Sequence, residues 1–248
     1  MKTRDVIDCD RRTLLTAGGV LLLGAALSPS VLAQTGNDAK MAIGTIGAGK
    51  IGGTIGGLWV KTGHKVMFSD RHPESLKSMV ADLGPRAQAG TVAEAIAFGD
   101  VLLLSVPYKA IPQIGRDYGD KLKGKIVLDT CNAVQARDGD IRAEVDKAGI
   151  GVTSQKYLPG TRLVRAFNTM SYAYMAEQAN RPAPRLAIPI AGDDQEAVQV
   201  AARLVRDAGF DPVVVGKLAD ARLFQQGGPG YGQRVTAAEL KQKLSLSQ

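Results

Sequence analysis

A glycine-rich turn constrains this chain more than any other feature of its sequence. The apolar run 42–46 leads into Gly47, Gly49 and Gly52, which have the G-x-G-x-x-G spacing of a dinucleotide-binding βαβ unit. In such a unit the first glycine allows a tight turn, the second lets the backbone approach a pyrophosphate, and the third lets the helix pack close to the strand. The helix that follows, 51–61, directs its unpaired N–H groups and positive dipole end at the phosphates. The turn therefore predicts a strand, a phosphate site and a helix, in that order.

Short apolar runs alternate with helical segments through the rest of the chain. The alternation predicts βαβ units and a doubly wound, mostly parallel α/β sheet of the Rossmann type, with a small C-terminal extension. We expect this single domain to cover 41–248, with the late strands extending the same sheet. Thr91 and Asp193 are predicted helix N-caps, and Pro73 suits a first helical turn. The further predicted strands are 65–68, 86–89, 100–107, 125–130, 162–167, 185–190 and 212–215.

Residues 1–33 have the pattern of an export signal. An arginine pair at 11–12 is followed by two leucines and an apolar run, and a small-residue cleavage site ends at Ala33. The pair resembles a twin-arginine signal, which a receptor reads. The apolar core, about 15 residues, is shorter than the roughly 20 that span a bilayer, which favours cleavage over an uncleaved membrane anchor. We expect a polar linker at 34–40 and an exported, periplasmic protein without a stable membrane span after cleavage.

The composition argues against several other classes of site. The net charge is +7, but the basic residues are dispersed, so the sequence does not favour nucleic-acid binding. The only histidines are His64 and His72, which argues against a metal site and a Ser-His-Asp triad. Cleavage would leave Cys131 as the one cysteine, without a disulfide partner. We interpret Cys131 as a buried apolar thiol in preference to a redox thiol.

Polar residues follow the second predicted strand, where this fold reads the adenosine ribose of a dinucleotide. Ser69 and Arg71 would hold the 2′-phosphate of NADP, with His72 as a further donor. Asp70 instead favours NAD, because a carboxylate bonds the ribose 2′-OH and repels a 2′-phosphate. A third interpretation is that Asp70 caps the next helix and Arg71 is solvated. The sequence therefore leaves both NADP and NAD as candidate cofactors.

Three later strand ends supply further candidates. Ser105 and Val106 would let the backbone pass close to the dinucleotide, and Asn132 would bond a ribose or a carboxamide near the nicotinamide. Ala166 and Asn168 end the sixth strand, where packing with a helix N-cap is the alternative to ligand contact. No acid–base pair stands out, so no catalytic residue is assigned. Hydride exchange between two cofactors needs mainly their juxtaposition and the exclusion of water.

The segments 43–52, 63–64, 71–76, 105–108 and 164–169 together, in this order, resemble the NADP-dependent deazaflavin-coenzyme oxidoreductase family. That family also includes the reductase domain of membrane metalloreductases. The resemblance covers most of 41–225 and implies a Rossmann fold that passes hydride between NADPH and a deazaflavin or flavin. By position it implies NADP contacts in the glycine turn and at the later strand ends. The complete set of candidate cofactor-binding residues is Gly47, Ala48, Gly49, Lys50, Ile51, Gly52, Ser69, Arg71, His72, Ser105, Val106, Asn132, Ala166 and Asn168.

The main functional hypothesis is an exported oxidoreductase that binds NADP(H) and transfers hydride to a flavin-like, deazaflavin-like or other small-molecule acceptor. The glycine-rich loop 227–232 is a candidate lid. One alternative is a Rossmann module that binds nucleotide without turnover. Another is a carbonyl or imine reductase with Tyr108 or Tyr172 as the proton donor. A homodimer is compatible with the sequence.

Overall fold

An eight-stranded sheet organises residues 40–246, the part of the chain that the computed structural model describes. The strand order is β3-β2-β1-β4-β5-β6-β7-β8. Neighbouring strands run parallel except at β6 and β7, which pair antiparallel, while β8 is parallel to β7. The predicted doubly wound, mostly parallel sheet is thus confirmed, and the late strands do extend it. The strands are β1 Ala42–Ile46, β2 Lys65–Ser69, β3 Ala87–Gly90, β4 Val101–Leu104, β5 Ile126–Asp129, β6 Arg162–Arg165, β7 Ala187–Gly192 and β8 Asp211–Gly216.

Helices cover both faces of the sheet, so its central strands are buried throughout. Every residue of β4 and of β5 is buried, as expected for parallel strands between two helical layers. Within 40–246, no helix combines the length and the apolar character needed to cross a bilayer. The export signal and most of the linker lie outside the described residues. The helices are α1 Lys50–Lys61, α2 Lys77–Leu83, α3 Val92–Phe98, α4 Ile111–Leu122, α5 Gln135–Asp138, α6 Ile141–Ala148, α7 Ile150–Tyr157, α8 Tyr172–Gln178, α9 Gln195–Asp207 and α10 Ala237–Lys243, with 3₁₀ turns at Pro73–Leu76, Tyr108–Ala110 and Leu218–Leu223.

Two predicted helix caps have different outcomes. Thr91 caps α3 in a reciprocal capping box with Glu94, as predicted. The predicted cap of α9 at Asp193 is wrong, because the carboxylate of Asp194 accepts the Ala197 N–H at 2.8 Å. Asp193 accepts the N–H of Leu218 at 3.0 Å and so holds the 3₁₀ turn after β8. The helix begins one residue later than the prediction, since an N-cap oxygen reaches the amide three residues ahead.

A buried tryptophan fixes the helix that follows the glycine turn. Trp59 of α1 is fully buried and donates its Nε1–H to the Leu204 carbonyl of α9 at 2.7 Å. Its ring also meets Phe167 edge to face, with 5.8 Å between centroids, a favoured aromatic geometry. These contacts tie α1 to α9 and to the residues just after β6. The last turn of α1 is therefore anchored in the core.

Candidate functional site

The glycine turn has the close packing that its spacing predicts. Gly47 has φ +93°, and a Cβ there would lie 2.4 Å from the carbonyl oxygen of Ser105. A Cβ on Gly52 would lie 2.1 Å from the carbonyl oxygen of Gly47. Both positions exclude a side chain, because real Cβ atoms do not approach other atoms so closely. Gly47 therefore makes the turn, and Gly52 lets α1 pack directly on it.

Gly49 lies on the open side of the same turn. A Cβ on Gly49 would meet no atom within 4 Å, and its backbone is extended (φ −67°, ψ −166°) at the N-cap of α1. No side chain caps this helix, so its first-turn N–H groups have no side-chain partner in the described structure. Unpaired N–H groups and the positive dipole end make a helix N-terminus an anion site. The backbone beside Gly49 is therefore open to an anion such as a phosphate group.

A cleft of about 300 Å³ lies next to the turn, beyond the ends of β1, β4 and β5. This is the switch point of the sheet, where the chain order reverses between β1 and β4 and where doubly wound folds bind ligands. Six of the predicted binding residues line it: Gly49, Lys50, Ile51, Ser105, Val106 and Asn132. The other lining residues are Pro107, Thr130, Cys131, Val134, Arg137 and Tyr231.

A second pocket of about 340 Å³ adjoins the cleft. Ile51, Asn132 and Tyr231 line both spaces, so the two form one continuous surface. Tyr231 belongs to the loop 227–232, which therefore reaches the cleft as a lid would. We call this second space the side pocket. Its remaining lining residues are Asn168, Thr169, Met170, Ser171, Tyr174, Gly232 and Arg234.

Two asparagines join the strand ends beneath the side pocket. Asn132 donates its amide N–H to the Asn168 carbonyl at 2.8 Å, and the Asn168 amide donates to the Phe224 carbonyl at 2.9 Å. The chain before loop 227–232 is thereby fixed to the ends of β5 and β6. The predicted alternative of an N-cap at Asn168 or Thr169 is wrong, because Ser171 accepts the Tyr174 N–H and caps α8.

A buried ion pair supports the floor of the cleft. Asp129 and Arg165 are register partners on β5 and β6, and their Oδ2 and Nη1 atoms lie 2.6 Å apart with both side chains fully buried. Arg165 donates to the Cys131 carbonyl at 2.7 Å, and Asp129 accepts the Cys131 N–H at 2.8 Å. The pair thus fixes the backbone that carries Cys131 and Asn132. Sequence reasoning missed it, although two charges in apolar strands were a signal.

The thiol of Cys131 is buried, as we interpreted it from the sequence. Burial, followed by the charge of Asp129, raises the pKa of this thiol well above its usual value. Its sulfur accepts the Val106 N–H at 3.4 Å. The side chain is therefore a neutral packing group at the edge of the cleft.

The residues after β2 take different positions. Ser69 is fully buried and donates its hydroxyl to the Thr45 carbonyl, so that hydroxyl faces the sheet. Asp70 accepts the His72 N–H at 2.9 Å, which closes a local turn and caps no helix. Arg71 and His72 are exposed, and His72 lies 3.5 Å from Glu74. Arg71 therefore remains the candidate for a 2′-phosphate, whereas Ser69 does not present its hydroxyl to one.

Two other predicted residues lie in the core. Ala166 is fully buried and packs in the cluster beneath α1 and α9. Tyr108 is fully buried too, and its hydroxyl bonds the Ile150 carbonyl at 3.1 Å and Ser154 at 2.9 Å. Burial raises the pKa of Tyr108 strongly. Its proposed role as a proton donor in the cleft is wrong, because the run after β4 turns its ring inward.

The aromatic and basic lining of the site was largely unforeseen. Tyr174 and Tyr231 line the side pocket, whereas the predicted Tyr172 lies under the Lys50 ammonium, 5.2 Å from its ring centroid, and lines neither space. The charged residues that line the two spaces are Lys50, Arg137 and Arg234, with no carboxylate among the described lining residues. This positive lining suits a dinucleotide pyrophosphate or another anion.

Comparison with known proteins adds a family to this geometry. Residues 42–133 match the family described as NADP oxidoreductase, coenzyme F420-dependent. The rat metalloreductase STEAP3 is 26% identical over 202 residues, which is 79% of this chain but 38% of that protein. The predicted family resemblance is confirmed for the segment that carries the glycine turn, the end of β4 and Asn132. The family is described as an oxidoreductase and the rat protein as a metalloreductase.

Solved structures agree with the fold. The hypothetical protein SMa0349 from Sinorhizobium meliloti superposes with a TM-score of 0.70 at 26% identity, covering 84% of this chain and 98% of that one. A protein from Arthrobacter sp. FB24, described as an F420-dependent NADP-reductase, has a TM-score of 0.62 at 22% identity, covering 73% and 87%. The first match covers 84% of this chain, so most of the fold has a solved counterpart.

Proposed function

Because residues 42–133 carry the domain of the coenzyme F420-dependent NADP oxidoreductases, we propose that this protein binds NADP(H) and transfers hydride between the nicotinamide and a second small molecule. The acceptor that we propose is a flavin or a deazaflavin. The observation that carries the proposal is the open backbone at Gly49 beside two joined spaces of about 300 and 340 Å³. One space suits the cofactor and the other its partner in the reaction.

The chain's own residues bind and orient the dinucleotide in this proposal. The first-turn N–H groups of α1 would hold the pyrophosphate, with Lys50 and Arg137 as flanking cations, of which Arg137 is paired with Asp138 at 2.9 Å. Ser105, Val106 and Asn132 would hold the nicotinamide end. The Asp129–Arg165 pair and the Asn132–Asn168 contact keep that end of the cleft rigid. Rigidity matters because hydride transfer requires the two reacting rings to be held in contact.

The side chains around the cleft supply positioning without an acid–base pair. The bound nicotinamide supplies the hydride chemistry itself. Among the described residues, neither Asp, Glu nor His lines the two spaces, and the Cys131 thiol is held neutral by burial. This arrangement supports transfer between two cofactor rings, which needs close approach and exclusion of water. Tyr231 and its loop lie where they would exclude that water.

The proposed preference for NADP(H) over NAD(H) follows from the turn after β2. Asp70 is engaged by the His72 N–H, and Arg71 is exposed at the position of the adenosine ribose. We therefore propose NADP(H) in preference to NAD(H), with Arg71 as the 2′-phosphate ligand. A guanidinium is well matched to a phosphate because its N–H groups bind two oxygens together.

Isothermal titration of NADPH and NADH against wild type and Arg71→Ala tests this assignment. The variant is expected to bind NADPH about tenfold more weakly, the effect of losing one charge-assisted contact at an exposed site, and to bind NADH as wild type does. Arg86→Ala is the matched control, because Arg86 is exposed next to the opposite end of β3. Equal NADPH affinity in all three proteins would remove Arg71 from the site.

Oxidation of NADPH in the presence of FMN, riboflavin or a quinone tests turnover. Nucleotide that co-purifies with the protein, together with no NADPH oxidation by any of these acceptors, would favour the non-catalytic module. Reduction of a flavin at the expense of NADPH supports the oxidoreductase function. The assay follows the NADPH absorbance and the flavin absorbance together, so that oxidation and reduction can be balanced.

We also propose that residues 1–33 direct twin-arginine export and are then removed. The support is the arginine pair at 11–12, the short apolar run and the small-residue site at Ala33. The expected mature protein begins at Gln34, which the mass of the exported protein measures. Replacing both arginines by lysine is expected to retain the protein in the cytoplasm, and export of that variant at the normal level would contradict the proposal.

A further inference from the structure

A buried aspartate joins two of the chain segments that border the cleft. The side chain of Asp138, in the short helix α5, is fully buried. Its Oδ2 atom accepts the Val134 N–H at 2.7 Å, and its Oδ1 atom accepts the Lys109 N–H at 3.2 Å. Val134 follows β5, and Lys109 lies in the 3₁₀ turn after β4. One carboxylate therefore holds together the segments that contribute Pro107 and Val134 to the cleft.

The same carboxylate fixes the direction of a neighbouring guanidinium. The Nη2 atom of Arg137 lies 2.9 Å from Oδ2 of Asp138, and its Nε atom lies 3.2 Å from both carboxylate oxygens. Nη2 also donates to the Asn132 carbonyl at 2.5 Å. These bonds occupy the donors on Nε and Nη2 and leave those on Nη1. Within 40–246 the Nη1 group has no hydrogen-bond partner.

The unpaired edge of Arg137 belongs to the nicotinamide end of the cleft. Arg137 lines the cleft with its side chain 45% exposed, whereas Asp138 lies behind it in the core. The bond to the Asn132 carbonyl holds the guanidinium at the end of β5. Arg71, the proposed 2′-phosphate ligand, follows β2, and β1 and β4 lie between β2 and β5 in the sheet. At the spacing of neighbouring strands this separation is about 14 Å, so the two arginines serve different phosphates.

An arginine that is held in place before binding loses less side-chain freedom when an anion arrives. Burial by itself acts to raise the pKa of Asp138, but the hydrogen bonds from Arg137 and from the two backbone N–H groups lower it overall. The carboxylate is therefore charged at neutral pH and holds the guanidinium by charge-assisted bonds. An asparagine in its place has one acceptor oxygen and one donor group, so it cannot keep all of these contacts.

We infer that Asp138 is a positioning residue, which aims Arg137 at the phosphate on the nicotinamide side of the dinucleotide. The inference rests on the proposed function, because it assigns both residues to one half of the proposed cofactor. It predicts that the two residues act as a unit and leave the adenosine half unaffected. Adenosine 2′,5′-bisphosphate separates the halves, since it carries the adenosine and the 2′-phosphate of NADPH but lacks the nicotinamide-side phosphate.

The test is isothermal titration of NADPH and of adenosine 2′,5′-bisphosphate against the full-length protein and its variants. Arg137→Gln and Asp138→Asn are each expected to bind NADPH about tenfold more weakly than wild type, the size of one charge-assisted contact. Both variants should bind the bisphosphate as wild type does. The double variant should bind NADPH within about twofold of either single variant, because no guanidinium remains to be aimed. A structural role of Asp138 that is independent of Arg137 would instead make the two losses multiply.

Two further variants complete the test. Arg137→Lys keeps the positive charge but cannot form the paired contact with Asp138, so it should lose as much NADPH affinity as Arg137→Gln. Asp194→Asn is the matched control, because Asp194 also pairs with an arginine, Arg162 at 2.8 Å, and accepts a backbone N–H. Arg162 begins β6, at the opposite end of that strand from the cleft. The control should bind both ligands as wild type does, and a thermal melt establishes that each variant is folded.

Several results would overturn the inference. They are wild-type NADPH affinity in Asp138→Asn or in Arg137→Lys, losses that multiply in the double variant, and an equal loss of affinity for the bisphosphate. The outcomes also separate the inference from the proposed function. If the variants behave as expected but wild type reduces no acceptor, the positioning role stands and hydride transfer fails. If wild type oxidises NADPH with an acceptor and the variants bind NADPH normally, hydride transfer stands and the positioning role fails.

Discussion

Substituting alanine at Gly49 and at Gly52 should separate the folding role of the glycine turn from its binding role. Gly49 already has a backbone that alanine adopts freely, and its Cβ would project into open space. Gly52 is packed on the Gly47 carbonyl, where a Cβ would lie 2.1 Å away. The two positions are three residues apart and receive the same methyl group. Gly52→Ala should nevertheless affect mainly the stability of the fold, and Gly49→Ala mainly the binding of NADPH.

The structure sets the magnitude for each variant. At Gly52 the new methyl lies more than 1 Å inside ordinary contact with a backbone atom, and overpacking of this kind costs about 1–3 kcal/mol or more. Better helix propensity offsets about 1 kcal/mol. The 2.1 Å approach to a backbone oxygen puts Gly52 at the upper end of that range, about 3 kcal/mol, which leaves a net loss of about 2 kcal/mol and lowers Tm by roughly 4–8 °C in a domain of this size. Gly49→Ala loses only about half a kcal/mol of N-cap preference, so its Tm should fall by less than about 2 °C.

Ligand-dependent melting shows the binding role. NADPH at 100 times its Kd stabilises wild type by about 2.7 kcal/mol, which corresponds to a rise in Tm of roughly 5–11 °C. In Gly49→Ala the methyl occupies the space that a pyrophosphate would enter, and we expect at least about tenfold weaker binding. At the same NADPH concentration the stabilisation should then fall to about half. Isothermal titration measures the same change in affinity directly.

The binding prediction for Gly49→Ala and the stability prediction for Gly52→Ala can each be contradicted independently. A Gly49→Ala variant that melts normally and shows the full NADPH shift would mean that the pyrophosphate does not lie against this turn. A Gly52→Ala variant with the wild-type Tm would mean that α1 does not pack on Gly47 as closely as the structure shows. Gly84→Ala is a poor control, since Gly84 has φ +86°. Gly119, which is half-buried on α4 with open space at its Cβ, is the better one.

Two further predictions concern buried ionisable side chains, His64 and Asp129. Burial lowers the pKa of His64 below its usual 6.5, although the neighbouring Asp207 acts to raise it. Neutral His64 therefore contributes its full stability above about pH 6.5. That stability is lost as the pH falls through the lowered pKa of the folded protein. His64→Asn keeps an acceptor for the Met41 N–H. The Tm of this variant should vary less than that of wild type between pH 5 and 7. Parallel profiles of Tm against pH for the two proteins would contradict this expectation. Asp129→Asn leaves Arg165 buried without its counter-charge, which should cost about 3–5 kcal/mol and lower Tm by roughly 6–20 °C. An unchanged Tm in a calorimetric scan would show that the pair is not buried as described.

Much of the fold could be predicted from the sequence because its signals are local. The β4 segment is a continuous apolar run between turn residues, which by itself indicates a strand buried on both faces. Thr91 and Glu94 form a capping box from residues three apart. The spacing of Gly47, Gly49 and Gly52 indicates the turn because each glycine is required by atoms of the same βαβ unit or of the neighbouring strand end. Helix starts were less certain, as Asp194 shows, since either of two adjacent aspartates satisfies the pattern.

The composition of the site was decided by tertiary structure. Asp129 and Arg165 become partners only because β5 and β6 pair in one register, and Tyr108 leaves the cleft because α7 offers its hydroxyl two partners. Arg234 and Tyr231 reach the side pocket from the C-terminal segment, more than 60 residues after Asn168 in the chain. The sequence by itself determined the sheet and the glycine turn. The side pocket depends on contacts between distant segments, which no local pattern encodes.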